Sequence, residues 1–511
     1  MNVAFEACEV DRFRNTVARR LGLQFDDAKL GFLSDLLRLR LGAHGGACES
    51  YLRNLEAGTS QNEWNSLVQE LTVPETYFFR NMDQFRAFSE VVLPCRLQAR
   101  ESYKRLRFLS AACASGEEAY TLAILLREVS ADPSWAVSVL GIDVNPAMLE
   151  KAAHARYSSW ALRETPLDAQ RRWFRREGRE MALDETIRTS VHFEVCNLLD
   201  DDPEIWQPDA YDAIFCRNVI MYLTEEASKI VVARLKRALA PGGYLFLGHA
   251  ETLRGLSHDF HLHHTHGTFY YQRKEGADQP TKHFSTGMAT TSTLTAAPLA
   301  AIVDEADTWV GVICSATERI RALAEAPIRP SLTGQSIPIS HSEPGWNLRV
   351  PLALLRTEHF AEALDVVRGL PPESAYDPDA LLLQAVLLAH SGQLGSAEDV
   401  CRRLLEIDEL NSGAHYVLAL CREGARDQPA AASHDRVAVY LDPAFAMPRL
   451  HLGLLARRAG DSDTARCELA QALALLHRED ASRLLLFGGG FNREALIGLC
   501  RAELIACGGK P

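Results

Sequence analysis

The sequence lacks the features that would point to export, to a zinc cluster or to nucleic-acid coating. Its 12 Cys are scattered without a Cys-x-x-Cys pair, which excludes a disulfide framework and is typical of reduced thiols. It has no run of 18 apolar residues, and the acidic N-terminus lacks the apolar segment of a signal peptide. The net charge of −13 argues against a nucleic-acid coat and a polybasic membrane binder. We therefore expect a cytoplasmic protein with no membrane insertion and no nucleic-acid partner.

Four neighbouring histidines give the strongest metal signal, namely His261, His263, His264 and His266. Alternate residues of a strand share one face, so these rings could converge. No Cys or carboxylate completes a ligand set around them, and a polar strand explains them better. We predict no metal site.

The length of 511 residues allows two to four domains. Residues 1–85 contain short amphipathic helical segments, and we predict an N-terminal helical domain there. Gly42 is predicted to end one of these helices. The apolar stripe of that helix consists of Leu30, Leu33, Leu37 and Leu41.

Residues 86–275 alternate short apolar runs with helical segments, which is typical of buried parallel strands. The predicted fold class is α/β, a doubly wound Rossmann-like sheet. A Pro-Gly-Gly turn at 241–243 is predicted to precede the last of the main strands. The strand-like runs are LRFLSA (106–111), VSVLGID (137–143), VHFEVCN (191–197), YDAIFCRN (211–218) and GYLFLGHA (243–250).

The C-terminal part divides into a linker and a repeat region. Residues 276–345 are rich in Thr, Ala, Ser and Pro with little periodicity, which predicts a disordered linker. Residues 346–511 are helical in pattern, with a period of 34 residues, that of α-helical tetratricopeptide repeats. Chance spacing in an Ala-rich bundle is the alternative. We predict three repeats, with a partial helix pair from Trp346 before them and a capping helix after them. Two columns carry the period: Ala385, Ala419 and Gly453, and Ala397, Ala431 and Ala465.

Polar residues follow several predicted strands at the edge where open α/β sheets bind ligands. After the first strand, small residues at 112–116 make a tight turn, which suits a bound adenosyl group better than a dinucleotide. Glu117 and Glu118 then open a helix, so an ordinary helix cap is an equal alternative. Asp143 ends the second strand and can accept hydrogen bonds from ribose hydroxyls, or cap the next helix. Another strand ends in Arg217-Asn218.

Taken together, these motifs resemble those of the chemoreceptor glutamate O-methyltransferases, the CheR family. The resemblance implies an S-adenosylmethionine-dependent methyltransferase domain over residues 86–275, with a small β subdomain at about 155–195. With repeats behind this domain, the chain is further similar to the WspC branch, which serves a surface-sensing chemoreceptor pathway. The resemblance covers residues 1 to about 275 and rests on LTVPETYFFRN (71–81), ACASGEEAY (112–120), GIDVNPAMLEKA (141–152), CNLLD (196–200), FCRNVIMYL (215–223) and GGYLFLGHAETL (242–253).

The resemblance implies S-adenosylmethionine as the cofactor and methyl transfer to a carboxylate oxygen as the reaction. A glutamate is already ionised at neutral pH, so alignment and desolvation matter more than a strong base. Arg80 and Tyr222 are predicted as catalytic residues that orient this carboxylate, with core packing as the alternative for Tyr222. Pro74 and Ala250 depart from the family's Asn and Ser, which puts both positions in doubt as ligands. The implied cofactor contacts are Thr76, Arg80, Glu117, Asp143, Asn197, Leu198, Arg217 and Asn218.

The implied function is methylation of glutamates on a methyl-accepting chemoreceptor, whose cytoplasmic domain would be the partner. The repeats are predicted to hold a further protein partner. The first 110 residues carry 15 Lys and Arg against 14 Asp and Glu, so they are best suited to meet an acidic receptor. A solvated helix face is the plain alternative for their basic residues Arg12, Arg19, Arg38 and Arg40. Two other functions stay open: a methyltransferase for a different substrate, and a scaffold whose methyltransferase domain is vestigial.

Overall fold

The computed structural model describes residues 7–44, 47–129, 132, 134–275, 348–357 and 359–509. The chain divides into two compact units, Met1–Pro280 and Thr281–Pro511. The linker predicted at 276–345 lies outside the described residues. No helix in the described part of the chain is long and apolar enough to cross a membrane.

The first unit begins with a helical bundle. The stripe predicted on its second helix is buried as expected, because Leu33 and Leu37 have no exposed surface and Leu30 and Leu41 pack against the same core. Gly42 does not end that helix, so this prediction is wrong: a terminating glycine adopts a left-handed backbone, and Gly42 does not. The bundle helices are α1 (Ala7–Leu21), α2 (Leu30–His44), α3 (Cys48–Glu56) and α4 (Gln61–Leu71).

Arg40 on α2 is not a free surface charge. Its side chain is 17% exposed and donates from Nε and Nη2 to the two carboxylate oxygens of Glu63, at 2.8 and 2.5 Å. Glu63 also accepts from the hydroxyl of Tyr51 at 2.7 Å. Burial alone would raise the pKa of Glu63, but these partners lower it to about 2. Arg40 therefore stabilises the bundle, contrary to the prediction that it is available to a partner.

A continuous helical run connects the bundle to the sheet. The ring of Phe85 stacks on Phe215 of the sheet with centroids 5.7 Å apart, and the ring of Phe88 contacts Phe215 edge-on with centroids 5.5 Å apart. The boundary predicted at residue 85 falls inside this run, whereas the two apolar cores separate between Leu71 and Phe78. The run consists of α5 (Met82–Ala87), a π-helical turn (Phe88–Val92) and α6 (Leu93–Ala99).

The central sheet has seven strands and confirms the predicted Rossmann-like α/β fold. The described part of the first unit has ten strands, namely β1 (Arg105–Ala111), β2 (Ala136–Asp143), β3 (Arg156–Ser158), β4 (Phe174–Glu177), β5 (Glu180–Leu183), β6 (Val191–Val195), β7 (Tyr211–Cys216), β8 (Leu239–Leu247), β9 (Phe260–Thr265) and β10 (Thr268–Arg273). Seven of them form the central sheet, in the order β6-β2-β1-β7-β8-β10-β9. The five strands β6, β2, β1, β7 and β8 are parallel to one another. Strand β10 is antiparallel to its two neighbours, β8 and β9. The helices are α7 (Glu117–Val129), α8 (Pro146–His154), α9 (Leu167–Trp173), α10 (Glu185–Arg188) and α11 (Glu225–Ala238).

The remaining strands β3, β4 and β5 form a separate antiparallel sheet in the order β3-β5-β4. This small sheet lies within the 155–195 range predicted for the β subdomain.

The predicted Pro-Gly-Gly turn does not precede β8 but lies inside it. Leu239 is opposite Tyr211 and Tyr244 is opposite Ala213, so the pairing with β7 shifts across this segment. Gly242 has a left-handed backbone, which lets the extra residues bulge out while the strand continues. A strong turn sequence here produces a bulge because the apolar residues on both sides stay paired with β7.

The second unit is a stack of antiparallel helix pairs with the predicted period. The first helices of three successive pairs begin at Pro378, Ser412 and Ala446, each 34 residues apart, and the second helices follow the same interval. This spacing is that of tetratricopeptide repeats. The helices are α12 (Arg349–Arg356), α13 (Phe360–Arg368), α14 (Pro378–His390), α15 (Leu394–Ile407), α16 (Ser412–Gly424), α17 (Gln428–Leu441), α18 (Ala446–Arg458), α19 (Ser462–Leu476), α20 (Ala481–Phe487) and α21 (Arg493–Ala506).

The small residues of the repeat columns lie where helices cross. The five alanines in the two columns have no exposed surface. A Cβ at Gly453 would lie 2.6 Å from Cγ of Leu469, so no side chain fits there. After the first helix of each pair, the backbone turns left-handed at Gly392, Arg426 and Gly460, with φ of 73°, 61° and 81°. The middle repeat thus has an arginine at the left-handed position where the other two repeats have a glycine.

A buried charge cluster joins the second and third repeats. His451 on α18 contacts Asp435 through Nδ1 at 2.7 Å and Glu423 through Nε2 at 3.2 Å. Arg458 pairs with the second oxygen of Glu423 at 2.5 Å. Burial alone would lower the pKa of His451, but the two carboxylates raise it to about 9. The imidazolium is therefore part of the packing between these repeats.

Candidate functional site

A large cavity lies at the carboxyl ends of the central strands, in the first unit. In the sheet register, Ala111 of β1 is opposite Ile142 of β2 on one side and Cys216 of β7 on the other. The residues that follow these three strands therefore emerge side by side. The cavity has a volume of about 690 Å³. Its opposite wall comes from the helical bundle, including Gln24, Phe25, Asp26, Lys29 and Phe32.

A short backbone pairing closes this cavity on one side. The amide of Thr224 donates to the carbonyl of Gly22 at 2.7 Å, and the amide of Gln24 donates to the carbonyl of Tyr222 at 2.8 Å. Leu23 and Leu223 form an isolated antiparallel bridge between these bonds. The bundle is thereby held directly against the loop that follows β7.

The turn after β1 brings backbone close to the cavity. Ala112, Ala114 and Gly116 have positive φ angles of 60°, 47° and 88°. Left-handed backbone is costly for alanine, so two such residues in one turn mark a strained segment held by its surroundings. The amide of Ala114 donates to Oδ2 of Asp143 at 2.8 Å, which is one of the bonds that hold it.

Asp143 is 8% exposed and lines the cavity at the end of β2. Its Oδ1 accepts from the amide of Asn145 at 2.8 Å, in addition to the bond from Ala114. Burial raises the pKa of Asp143, and the backbone amides counteract that rise. A carboxylate has about four lone-pair sites, so Asp143 can still accept from hydroxyls of a ligand in the cavity.

The two carboxylates after the turn have different surroundings. Glu117 is buried outside the walls of the cavity, where it accepts from the hydroxyl of Ser115 at 2.8 Å. Burial raises its pKa to about 7. Glu118 lines a side pocket of about 60 Å³ and accepts from the hydroxyl of Ser110 at 2.7 Å. The structure therefore places Glu118 on the wall of the side pocket, whereas Glu117 lines neither of the two spaces.

The side pocket is built around Arg217, whose side chain is 3% exposed. Its Nη2 donates to the carbonyl of Arg80 at 2.6 Å, and Nε lies 3.4 Å from Oε2 of Glu118. Its Nη1 is buried and has no hydrogen-bond partner among the described residues. Burial lowers the pKa of Arg217, and the Glu118 carboxylate counteracts this. Arg217 is thus a buried guanidinium at the wall of the side pocket, held between the Arg80 carbonyl and the Glu118 carboxylate.

The loop after β7 is held in place by a residue that the sequence did not single out, Glu251. Its Oε2 accepts from the amides of Asn218 and Gly248, both at 2.7 Å, and its Oε1 accepts from the amide of Met221 at 3.2 Å. The backbone of Asn218 adopts the left-handed conformation, with φ of 57°. Glu251 is 3% exposed, so these bonds are shielded from water. An acidic residue soon after a strand was visible in the sequence, but no spacing rule shows that it turns back to this loop.

The other predicted residues lie on the walls of the two spaces. The main cavity is lined by Asp143, Asn197, Leu198, Asn218 and Tyr222. The side pocket is lined by Thr76, Arg80, Arg217 and Asn218. The two spaces share Val73, Ala112, Ala114 and Asn218, so they adjoin each other.

Three of these residues have particular roles in the structure. Asn197 donates to the carbonyl of Arg20 on α1 at 2.8 Å, so it also holds the bundle. Tyr222 is 44% exposed, which excludes core packing as the reason for this tyrosine. Arg80 donates from Nη1 to the carbonyl of Glu75 at 2.9 Å.

No group of three or more His, Cys, Asp or Glu among the described residues is arranged to hold a metal ion. The donor set suits an adenosyl amino acid such as S-adenosylmethionine instead. The strained turn after β1 offers close backbone approach, and Asp143 offers a carboxylate to ribose hydroxyls.

Comparison with known proteins agrees with this geometry. Residues 74–269 match the family described as "CheR methyltransferase, SAM binding domain". The chain is 28% identical over 457 residues to the "Probable biofilm formation methyltransferase WspC" of Pseudomonas putida, covering 89% of this chain and 96% of that protein. It is 31% identical over 276 residues to "Chemotaxis protein methyltransferase 2" of Vibrio cholerae, covering 52% of this chain and 93% of that protein. It is 33% identical over 230 residues to the "Chemotaxis protein methyltransferase" of Klebsiella aerogenes, covering 44% and 76%.

These matches confirm the predicted cofactor and enzyme class. The matched range contains β1, β2, β7 and the walls of the side pocket apart from Val73, and the similarity to WspC continues through the repeats. The chain is an S-adenosylmethionine-dependent methyltransferase and belongs to the CheR family.

Proposed function

We propose that this methyltransferase modifies glutamate side chains of a methyl-accepting chemoreceptor in the cytoplasm. Relatives named chemotaxis protein methyltransferases support a receptor substrate. The observation that carries the proposal is the adjacency of the two spaces, because a cofactor cavity beside a pocket lined by the Arg80 side chain suits a carboxylate substrate.

When bound, S-adenosylmethionine supplies an electrophilic methyl group on a sulfonium. A glutamate is ionised at neutral pH, so the protein has to align the carboxylate oxygen with that methyl group and exclude water. We assign the holding of the cofactor to Asp143, Asn197, Leu198 and Asn218 on the walls of the main cavity.

Arg80 and Tyr222 are the proposed orienting residues for the substrate carboxylate. Arg80 lines the side pocket and Tyr222 lines the adjoining main cavity. Arg80 is also positioned by the stacking of its guanidinium on Tyr77, 5.7 Å from the ring centroid. Neither residue has to remove a proton, so their contribution is orientation and charge complementarity.

We assign receptor binding to the helical domain, with a revised set of basic residues. Arg12 is engaged by Glu49 and Glu56 at 2.6 and 2.7 Å, and Arg40 is engaged by Glu63. Arg38 pairs with Asp35 at 2.6 Å, and Arg19 is 71% exposed, with Glu56 at 3.8 Å. Lys29 instead lies on the cavity wall. The receptor would therefore meet the rim of the cavity rather than a face of uncompensated arginines.

The test is transfer of a tritiated methyl group from S-adenosylmethionine to a purified receptor cytoplasmic fragment by the full chain. Glutamate methyl esters release methanol in mild base, whereas N-methyl groups do not. Base-labile label on the fragment is the expected result. Label that is stable to base would show another substrate chemistry. Isothermal titration addresses the scaffold alternative, since a chain without cofactor affinity could not catalyse the transfer.

A further inference from the structure

The short helix α20 lies across the repeat array instead of continuing it. A regular fourth pair would begin near residue 480, with a first helix as long as the 13 residues of α14, α16 and α18. Instead, α20 has seven residues and ends at three consecutive glycines, Gly488 to Gly490. In repeat arrays each unit contacts only its neighbours. Here α20 contacts α12 and α14, which belong to the far end of the array.

The aromatic end of α20 inserts between the first helices of the repeats. The ring of Phe487 is 5.8 Å from that of Tyr416 on α16 and 5.0 Å from that of Phe445, just before α18. A Cβ at Gly413 would lie 2.9 Å from Cζ of Phe487, so α16 carries a glycine where the ring packs closest. The side chain of Phe487 is thus received by residues of two different repeats.

Polar contacts hold both ends of this segment. The carbonyl of Leu486 is 3.3 Å from Nε2 of His390, at the end of α14. Arg483 pairs with Asp442 at 2.5 Å, and Glu479 accepts from the amide of Ala446 at 2.6 Å. Burial lowers the pKa of His390, so its ring is neutral at pH 7 and can donate to the Leu486 carbonyl.

Residues from α14 and α16 line a small apolar space beside the segment. The contributors are Val386, Ala389, His390, Tyr416, Val417 and Leu420, with Leu486 and Phe487 on the other side. The first helices therefore present an apolar face to which a short helix with neighbouring Leu and Phe side chains is already bound. The glycines after Phe487 form a reversal with left-handed backbone at Gly489 and Gly490.

We propose that this face is a peptide-binding groove whose internal occupant is the segment Ala481–Phe487. The partner it fits is a short helical peptide that presents an adjacent Leu-Phe pair, a helix-in-groove mode of recognition. Such a partner binds by displacing α20, so its apparent affinity is reduced by the fraction of chains in which the segment is seated. This inference concerns the repeats and does not depend on the proposed receptor substrate.

The probe is a fluorescent peptide with the sequence of residues 477–492, added to the full chain and followed by anisotropy. Phe487→Ala weakens the internal occupant, so the probe should bind this variant at least about tenfold more tightly than the unmodified chain. Arg483→Ala, which removes one polar anchor, should shift the affinity in the same direction by less. Leu404→Ala is the matched control, because it removes a fully buried side chain of α15 that is not part of the groove lining.

The controls separate displacement from unfolding. A probe in which the Phe487 position is Ala should lose its binding to the Phe487→Ala chain. Circular dichroism establishes that the variants keep their helices, and Arg483→Ala serves if Phe487→Ala does not fold. If the folded variants bind the probe no better than the unmodified chain, or if Leu404→Ala binds it equally well, α20 is a fixed part of the repeat fold and the proposal is overturned.

Discussion

The substitution Glu251→Gln tests whether one buried carboxylate holds the site together. Its two oxygens accept three backbone amides, those of Asn218, Gly248 and Met221. A glutamine keeps one side-chain oxygen, which can still accept from the amides of Asn218 and Gly248. Its NH₂ group then faces the amide of Met221, and two donors cannot form a hydrogen bond.

The expected loss follows from these bonds. One neutral hydrogen bond is worth about 1 kcal/mol, and bonds to a charged acceptor exceed neutral ones by about 1 kcal/mol each. Losing the Met221 bond, itself a bond to the charged carboxylate, and the charge on the other two bonds should destabilise the loop by about 4 kcal/mol in total. Because Asn218 and Tyr222 lie on this loop and line the cavity, S-adenosylmethionine affinity should fall at least about tenfold.

The assay combines isothermal titration with hydrogen exchange on the full chain. The amides of Asn218, Met221 and Gly248 should exchange faster in Glu251→Gln. The matched control is Glu63→Gln, which removes a buried carboxylate of the bundle and should lower thermal stability without changing cofactor affinity. Faster exchange with unchanged affinity would show that the loop does not shape the cofactor site. Unchanged exchange would refute the hydrogen-bond reasoning itself.

Three further predictions concern single positions. Asp143→Ala should weaken cofactor binding by about 1.5–3 kcal/mol in titration calorimetry, the loss of a charged acceptor; an unchanged affinity would remove Asp143 from the cofactor site. The pKa of His451 is raised to about 9 in the folded chain, so the charged ring contributes fully to the free energy of unfolding below about pH 6.5. That contribution is lost as the pH rises through about 9. Thermal melts should show this loss, and His451→Gln should abolish it. Arg426→Gly should stabilise the repeats by about 0.5–1 kcal/mol in denaturant titrations, while Gly460→Arg should destabilise them.

The elements that could be predicted are those whose signal is local. Buried parallel strands need consecutive apolar residues, and β1, β2 and β7 follow such runs to within a residue or two. The 34-residue period was visible because crossing helices admit only small side chains, as at Gly453. The turn predicted at the Pro-Gly-Gly segment was wrong because a turn sequence inside a paired strand becomes a bulge. Pairing with a distant strand cannot be read from the local sequence.

The site shows the same division between local and distant information. Asp143 and Arg217-Asn218 could be placed because the carboxyl ends of parallel strands share one edge. Glu117 and Glu118 are adjacent, and which of them faces the pocket depends on the packing of α7 against the sheet. Arg40 looked free because its partner Glu63 lies on another helix, 23 residues later. Partners far apart in sequence leave no spacing pattern.

The pairing of residues 22–24 with 222–224 has a consequence for building chimeras within this family. A Cβ at Gly22 would lie 2.8 Å from Cβ of Ala227, and Gly22 has a positive φ of 71°. This pairing, called the seam below, therefore tolerates no other residue at position 22. A helical bundle transplanted from a relative would have to bring a glycine at this point and an extended segment of equal length after it. Grafts cut at residue 71 would carry this half of the seam but leave Tyr222 and Leu223 from the recipient. Exchanging both strips together would preserve the backbone bonds, and it would also replace the cavity wall that residues 23–32, Tyr222 and Leu223 contribute.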